Sequence, residues 1–304
     1  MKPASTGCSL WAWDFPTSIL QRKIADVYTS ALLAVVAFVK NGTTQHCLQL
    51  LRSAFELSNR FAVAILGLSK KFGEGVTVTA QTIQIGNRFC HIYGEANAEY
   101  LLLQITDEHE LQNMDSEVNA IAQSNHKFLF AAVPVSNWND ELSPWKAPAV
   151  WGKQDFGGNA TNTLHFLTEQ VIPTLKQQFN LPESTKIILG GYSLAGLFVL
   201  WASTQTNLFY GIAAASPSVW FPGWGEFERR CPVQTQRIYL SLGDKEEHTK
   251  NPTMAAVGDN IRTLHSYLTE HGTDCVLEWN SGGHFKEVDV RIAKAFQWII
   301  RANL

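Results

Sequence analysis

The sequence holds no CxxC pair, no block of like charges and no apolar run long enough to cross a bilayer. Its five cysteines, at positions 8, 47, 90, 231 and 275, are odd in number and widely spaced. That argues against a disulfide framework or a zinc site and for a reducing compartment. Each is expected to act as a small buried hydrophobe. His109 and His126 lack partners at ligand spacing, so no metal is expected, and nothing in the chain implies a cofactor. A net charge of −3, with 17% charged residues, leaves no basic field to draw in nucleic acid. The longest apolar runs, 31–39 and 61–68, fall well short of the ~20 residues that a membrane span needs. Ser5-Thr6-Gly7-Cys8 faintly echoes a lipoprotein cleavage site, but no apolar stretch precedes it. A soluble cytoplasmic protein is the expectation.

The 304 residues suffice for one large α/β domain or two small ones. The chain changes character near residue 75. Residues 1–75 carry eight Lys/Arg against four Asp/Glu, and the remainder sixteen against twenty-three. The first part reads as helices over 18–39 and 45–70, with Leu48, Leu51, Phe55, Phe61 and Ile65 roughly at helical spacing. It offers no chemistry. Gly73-Glu74-Gly75 can be encoded by a purine-rich stretch like a bacterial ribosome-binding site, with Val76 or Val78 as a GTG start. Whether residues 1–75 belong to the natural protein is therefore an open expectation.

From Val76 the pattern becomes regular. Alternating apolar and polar residues over 76–85 and 88–93 flank Gly86-Asn87, a hairpin signal. Strands are predicted at 99–105, 127–135, 186–190, 211–215, 237–242 and 275–279, and helices at 115–125, 161–179, 254–271 and 286–302, with a long loop from 136 to about 159. A hairpin followed by alternating β and α elements implies a mostly parallel sheet with helices on both faces.

Gly190-Gly191-Tyr192-Ser193-Leu194-Ala195-Gly196 lies between an apolar strand, 186–189, and an apolar helical run, 197–202. Strand, glycine-flanked serine, helix is the layout of a nucleophile elbow. The turn strains the serine backbone, so its neighbours must be nearly without side chains, and Gly191 and Ala195 meet that demand. The alternative is a turn whose serine merely caps the helix. Eight strands with the serine after the fifth is the α/β-hydrolase arrangement, whose chain order is serine, acid, histidine.

A serine hydroxyl needs a base, and the base needs an orienting group. His284 lies on Asn280-Ser281-Gly282-Gly283-His284-Phe285, directly after the last strand. Of nine histidines it alone falls where the fold requires one. The acid should follow strand 237–242, where Asp244, Glu246 and Glu247 compete. Glu246 is favoured because it is better able to reach round to His284, with Asp244 second. An oxyanion needs two preorganised N–H donors. One is the backbone N–H of Leu194; the other is expected after strand 99–105, from Ile105 or Thr106. Trp138, Trp145, Trp151 and Phe156 populate the long loop. Trp138 and Trp145 are candidate substrate contacts, although aromatics that pin the loop to the core would read the same way.

Several segments, taken in order, resemble the esterase branch of the α/β hydrolases. That branch includes esterase D, feruloyl and acetylxylan esterases, ferric-siderophore esterases and mycolyltransferases. Besides Gly-Tyr-Ser-Leu-Ala-Gly, the resemblance rests on four stretches: 140–145 (Asp-Glu-Leu-Ser-Pro-Trp), 157–160 with 166–173, 215–220 (Ala-Ser-Pro-Ser-Val-Trp) and 243–246 (Gly-Asp-Lys-Glu). It spans roughly residues 76–304. It implies a small-molecule ester as substrate, with Ser193 as nucleophile, Glu246 as acid and His284 as base. Ala195 departs from the commoner glycine. Two other readings share these residues: an acyltransferase using the same triad, and a hydrolase-fold binding module without turnover.

Overall fold

The computed structural model describes residues 80–301. The chain divides into two units, Met1–Glu74 and Gly75–Leu304, and the described residues lie in the second. The helices expected within residues 1–75 fall outside them.

An eight-stranded sheet runs through this unit. Its strands, in chain order, are β1 (Gln81–Ile85), β2 (Arg88–Gly94), β3 (Tyr100–Thr106) and β4 (Phe128–Pro134). After a two-residue ladder formed by β5 (Lys146–Ala147) and β6 (Phe156–Gly157) come β7 (Lys186–Tyr192), β8 (Gly211–Ala215), β9 (Arg237–Gly243) and β10 (Asp274–Asn280). The spatial order is β1-β2-β4-β3-β7-β8-β9-β10. β1 pairs with β2 and β2 with β4 antiparallel, and every later pairing is parallel. The expected hairpin at Gly86-Asn87 is present, with Ile85 opposite Arg88 and Gly86 at φ 58°.

Parallel strands covered on both faces need apolar side chains on both, and every residue of β3 is buried. Leu101, Leu103 and Ile105 belong to one core cluster, and Leu102 to the cluster across the sheet. The second cluster takes in Met114, Val118 and Ile121 of helix α1 (Met114–Ala122). The first receives α2 (Ala160–Phe166) and α3 (Ile172–Gln178), which a π-helical turn at Leu167–Val171 joins where the pattern predicts one helix. Helix α4 (Leu194–Gln205) is apolar all round, and its first ten residues are buried, as a helix through the middle of a core must be. Helix α5 (Val257–Glu270) covers the first face with Ile261, Leu264 and Leu268. Helix α6 (Val288–Ile300) covers the second with Ile292, Phe296 and Ile299.

Helix α6 lies so close that two positions of the central strands, Gly190 and Gly211, have no room for a side chain beneath it. A Cβ on Gly190 would stand 2.3 Å from the Phe296 ring, and one on Gly211 2.4 Å from Ile299. Cys90 is fully buried as expected, and burial pushes its thiol up to about 11. The loop from 136 to 159 is more structured than its composition indicates. Besides the β5–β6 ladder it holds a short helix, Trp138–Glu141, whose start is capped by Asn137 accepting from the Asp140 N–H. Among the described residues no helix is long and apolar enough to cross a membrane.

Candidate active site

Ser193 sits at the junction of β7 and α4 with φ 57° and ψ −120°. A non-glycine residue pays for that conformation, and surrounding structure must hold it there. Here the Ser193 N–H donates to the Ala215 carbonyl at 3.1 Å, and the Ser193 carbonyl accepts from the N–H groups of Leu197 and Ser218. A Cβ on Gly191 would lie 2.6 Å from the Ala195 carbonyl carbon and oxygen. The turn closes only because glycine stands there, whereas the Ala195 methyl is accommodated in full burial.

The ring of His284 bridges Ser193 and Glu246. Its Nε2 lies 2.9 Å from the Ser193 Oγ, and its Nδ1 lies 2.7 Å from the Glu246 Oε2. A carboxylate only accepts, so Nδ1 carries the hydrogen and Nε2 is left free to receive the serine proton. The three groups come from three strand ends: β7, the loop after β9 and the loop after β10. In the parallel ladder Asn280 is opposite Gly243, which brings the latter two loops together.

The Glu246 side chain is 5% exposed. Its Oε1 accepts from the Gly243 N–H at 2.7 Å, the Ser216 hydroxyl at 2.8 Å and Arg291 Nη1 at 3.1 Å. Burial works against its ionisation, but hydrogen bonds from His284, Gly243 and Ser216 outweigh it and hold the carboxyl below the usual range. Asp244, the competing acid, faces elsewhere: its Oδ1 accepts from the Gly282 N–H at 2.7 Å, tying the acid loop to the histidine loop. Glu247 pairs with Arg262.

Pattern alone did not single out Arg291, Tyr192 or Ser216. Arg291 and Ser216 bond Glu246, and the Tyr192 hydroxyl donates to the His284 carbonyl at 2.6 Å. Ser216 has φ 43°, a further strained residue directly after β8. Phe285 was likewise missed. Its ring stands edge-on to His284 at 5.1 Å while 90% exposed.

Leu194 is the first residue of α4, and the first amides of a helix have no intrahelical partner. Ile105 lies elsewhere than on a loop. Strand β3 runs on to Thr106, and Ile105 is in register with Gly191 on one side and Val133 on the other. The loop begins at Asp107, whose carboxylate accepts from the N–H groups of His109 and Glu110. Glu110 accepts from the Thr106 hydroxyl at 2.8 Å. Burial pushes its carboxyl up to about 7 against that bond, and His284 is among the charges it feels.

Trp145 donates through Nε1 to the Pro222 carbonyl at 2.9 Å and packs on Phe221 and Phe227. Trp138 is partly buried against the main core. These contacts pin the long loop to the body of the protein.

A family model described as "Putative esterase" matches residues 111–287, more than half of the chain. "Uncharacterized protein YbbA" of Bacillus subtilis is 25% identical over 189 residues, covering 58% of this chain and 75% of that protein. Among solved structures, an IroE-like serine hydrolase from Shewanella oneidensis superposes with a TM-score of 0.61 at 14% identity, over 72% of this chain and 79% of the other. Siderophore hydrolase EstA from Aspergillus nidulans does so with a TM-score of 0.58 at 16% identity, over 73% and 94%. The fold is the one these hydrolases share, and the chain belongs to the esterase family and is a hydrolase acting on ester bonds.

Proposed function

We propose that the protein hydrolyses a neutral carboxylic ester through an acyl-enzyme on Ser193. The observation that carries this is the unbroken line from Ser193 Oγ through His284 to Glu246, set on a strained elbow. His284 Nε2 takes the serine proton as Oγ attacks the ester carbon, and Glu246 stabilises the imidazolium that forms. The tetrahedral oxyanion is met by the N–H of Leu194 and by an amide past the end of β3, with Asp107 nearest in sequence. Ile105 is a poor second donor, because a residue paired on both sides is committed to the sheet. His284 then gives its proton to the departing alcohol oxygen, and the alkoxide leaves as the alcohol. Water, deprotonated by the same nitrogen, releases the acid from Ser193.

The rim guides the substrate class. Asp107 and Glu108 follow β3 and Asp244 follows β9, against Lys245 and Lys286, while Glu246 and Glu247 are paired with Arg291 and Arg262. Such a rim does not attract a heavily anionic ester. Siderophore hydrolysis, named for the Aspergillus structure, is therefore not carried over. The odd, widely spaced cysteines favour a reducing compartment and support a cytoplasmic location.

Labelling with a fluorophosphonate tests the reading. One adduct on Ser193, abolished by His284→Ala, supports it. An unlabelled serine in folded protein indicates a binding module instead. Product analysis with added alcohols separates hydrolysis from acyl transfer.

A further inference from the structure

Arg291 is the bulkiest of the fully buried side chains among the described residues, at 1% exposure. A buried guanidinium is costly unless its charge and donors are satisfied, so its partners indicate its use. Nη1 donates to Glu246 Oε1 at 3.1 Å, to the Tyr192 hydroxyl at 3.0 Å and to Ser216 Oγ at 3.3 Å. Nη2 donates to the carbonyls of Ser281 at 3.3 Å and Gly283 at 3.0 Å. The first set holds the acid by the oxygen that His284 does not use. The second holds the loop that delivers His284. Space is tight around this point: a Cβ on Gly243 would stand 2.3 Å from the Gly282 carbonyl oxygen and 3.1 Å from Arg291 Nη1.

The geometry points to Arg291 as a positioning residue that fixes acid and base loops in one grip and, by neutralising part of the Glu246 charge, limits how tightly His284 holds its proton. This inference rests on the Ser193–His284–Glu246 reading. A carboxylate facing an imidazole favours the imidazolium, and a cation bonded to that carboxylate weakens the effect. Other groups face this assembly. Glu110 acts from the loop after β3, with its carboxyl near 7. Tyr192 of β7 and Tyr239 of β9, both held above the usual phenol value chiefly by burial, remain neutral. Ser216 is uncharged, and Lys286 follows His284 in sequence. Arg291 is the cation hydrogen-bonded to Glu246. A lysine would keep the charge but not the planar fork that spans both loops.

The test is the pH profile of kcat/KM for a neutral p-nitrophenyl ester, measured on the full chain carrying Arg291→Met, Arg291→Gln or Arg291→Lys. Each profile is repeated with Glu110→Gln, so that the Glu110 titration is not mistaken for the base. The neutral variants should move the midpoint of the acid limb to higher pH by about one unit. Arg291→Lys should leave that midpoint in place while lowering kcat about tenfold or more, through a looser histidine loop. Neutral variants with the parent midpoint, or a lysine variant shifted as far as they are, would overturn the inference. If the neutral variants do not fold, Arg291→Lys decides alone, and parental kcat in it is the contrary result. Wild-type turnover in Ser193→Ala would remove the triad reading and this inference together. An inactive Ser193→Ala beside parental Arg291 profiles would remove the inference alone.

Discussion

Glu246 and Asp244 are two residues apart, yet their surroundings assign them different work. Glu246 is buried with both oxygens bonded, one of them to His284, whereas Asp244 is an exposed latch on the Gly282 N–H. Glu246→Gln should therefore lower kcat roughly 10⁴-fold, the loss seen when a triad acid is replaced. Asp244→Asn, which keeps an acceptor for Gly282, should stay within about tenfold of the parent. Steady-state kinetics of the two variants checks this, and a reversed ranking would move the orienting role to Asp244. The sequence already named Ser193 and His284, because the elbow and the chain order of the fold constrain both. For the acid it favoured Glu246 on reach with Asp244 second, since three carboxylates share one loop and only the fold shows which of them turns inward. Arg291 was invisible for a related reason. In a sequence, an arginine in an amphipathic helix reads as a solvated charge.

At the level of strands and helices, the elbow depends on Gly191 more than on any apolar contact. Gly191→Ala would push a methyl into the Ala195 backbone. It should lower the melting temperature and abolish fluorophosphonate labelling. Gly225→Ala, where only Arg229 Nη1 at 3.8 Å approaches, should do neither. The loop after β3 makes a separate claim about pH. Glu110 is held up to about 7 in the fold, so the folded state binds a proton more tightly than the unfolded chain. Its contribution is complete below the ordinary carboxylate value and is lost as pH rises to about 7. Glu246 has the opposite sign: its contribution is present above the ordinary value and fades as pH falls through its depressed one. Melting curves from pH 5 to 8 should show Glu110→Gln flattening the decline toward neutrality, and an unchanged slope would contradict the assignment. Strand positions in the described residues were legible because their apolar runs are bounded by turn residues. The end of β3 was not, since Thr106 continues the strand in type and only its register with Pro134 marks it as paired. The ladder inside the long loop was hidden because two-residue strands carry no periodicity.

For the protein as a unit, the sequence read the parallel sheet and its flanking helices correctly, since alternation of β and α segments fixes that class. It left the role of the aromatic loop residues open, because a tryptophan that pins a loop and one that lines a pocket look alike in composition. The acidic rim predicts that neutral esters outperform anionic ones. An acetyl ester should exceed the matching hemisuccinate in kcat/KM, by a margin that shrinks as salt screens the rim. Equal rates, or a preference for the anion, would contradict the substrate class. The central claim is that Ser193 is the nucleophile. Its most direct measurement is the turnover of p-nitrophenyl acetate by Ser193→Ala beside the parent, with both shown folded by melting curves. The account predicts a loss of at least about 10³-fold in kcat. A folded Ser193→Ala protein that turns over at the parental rate would contradict it.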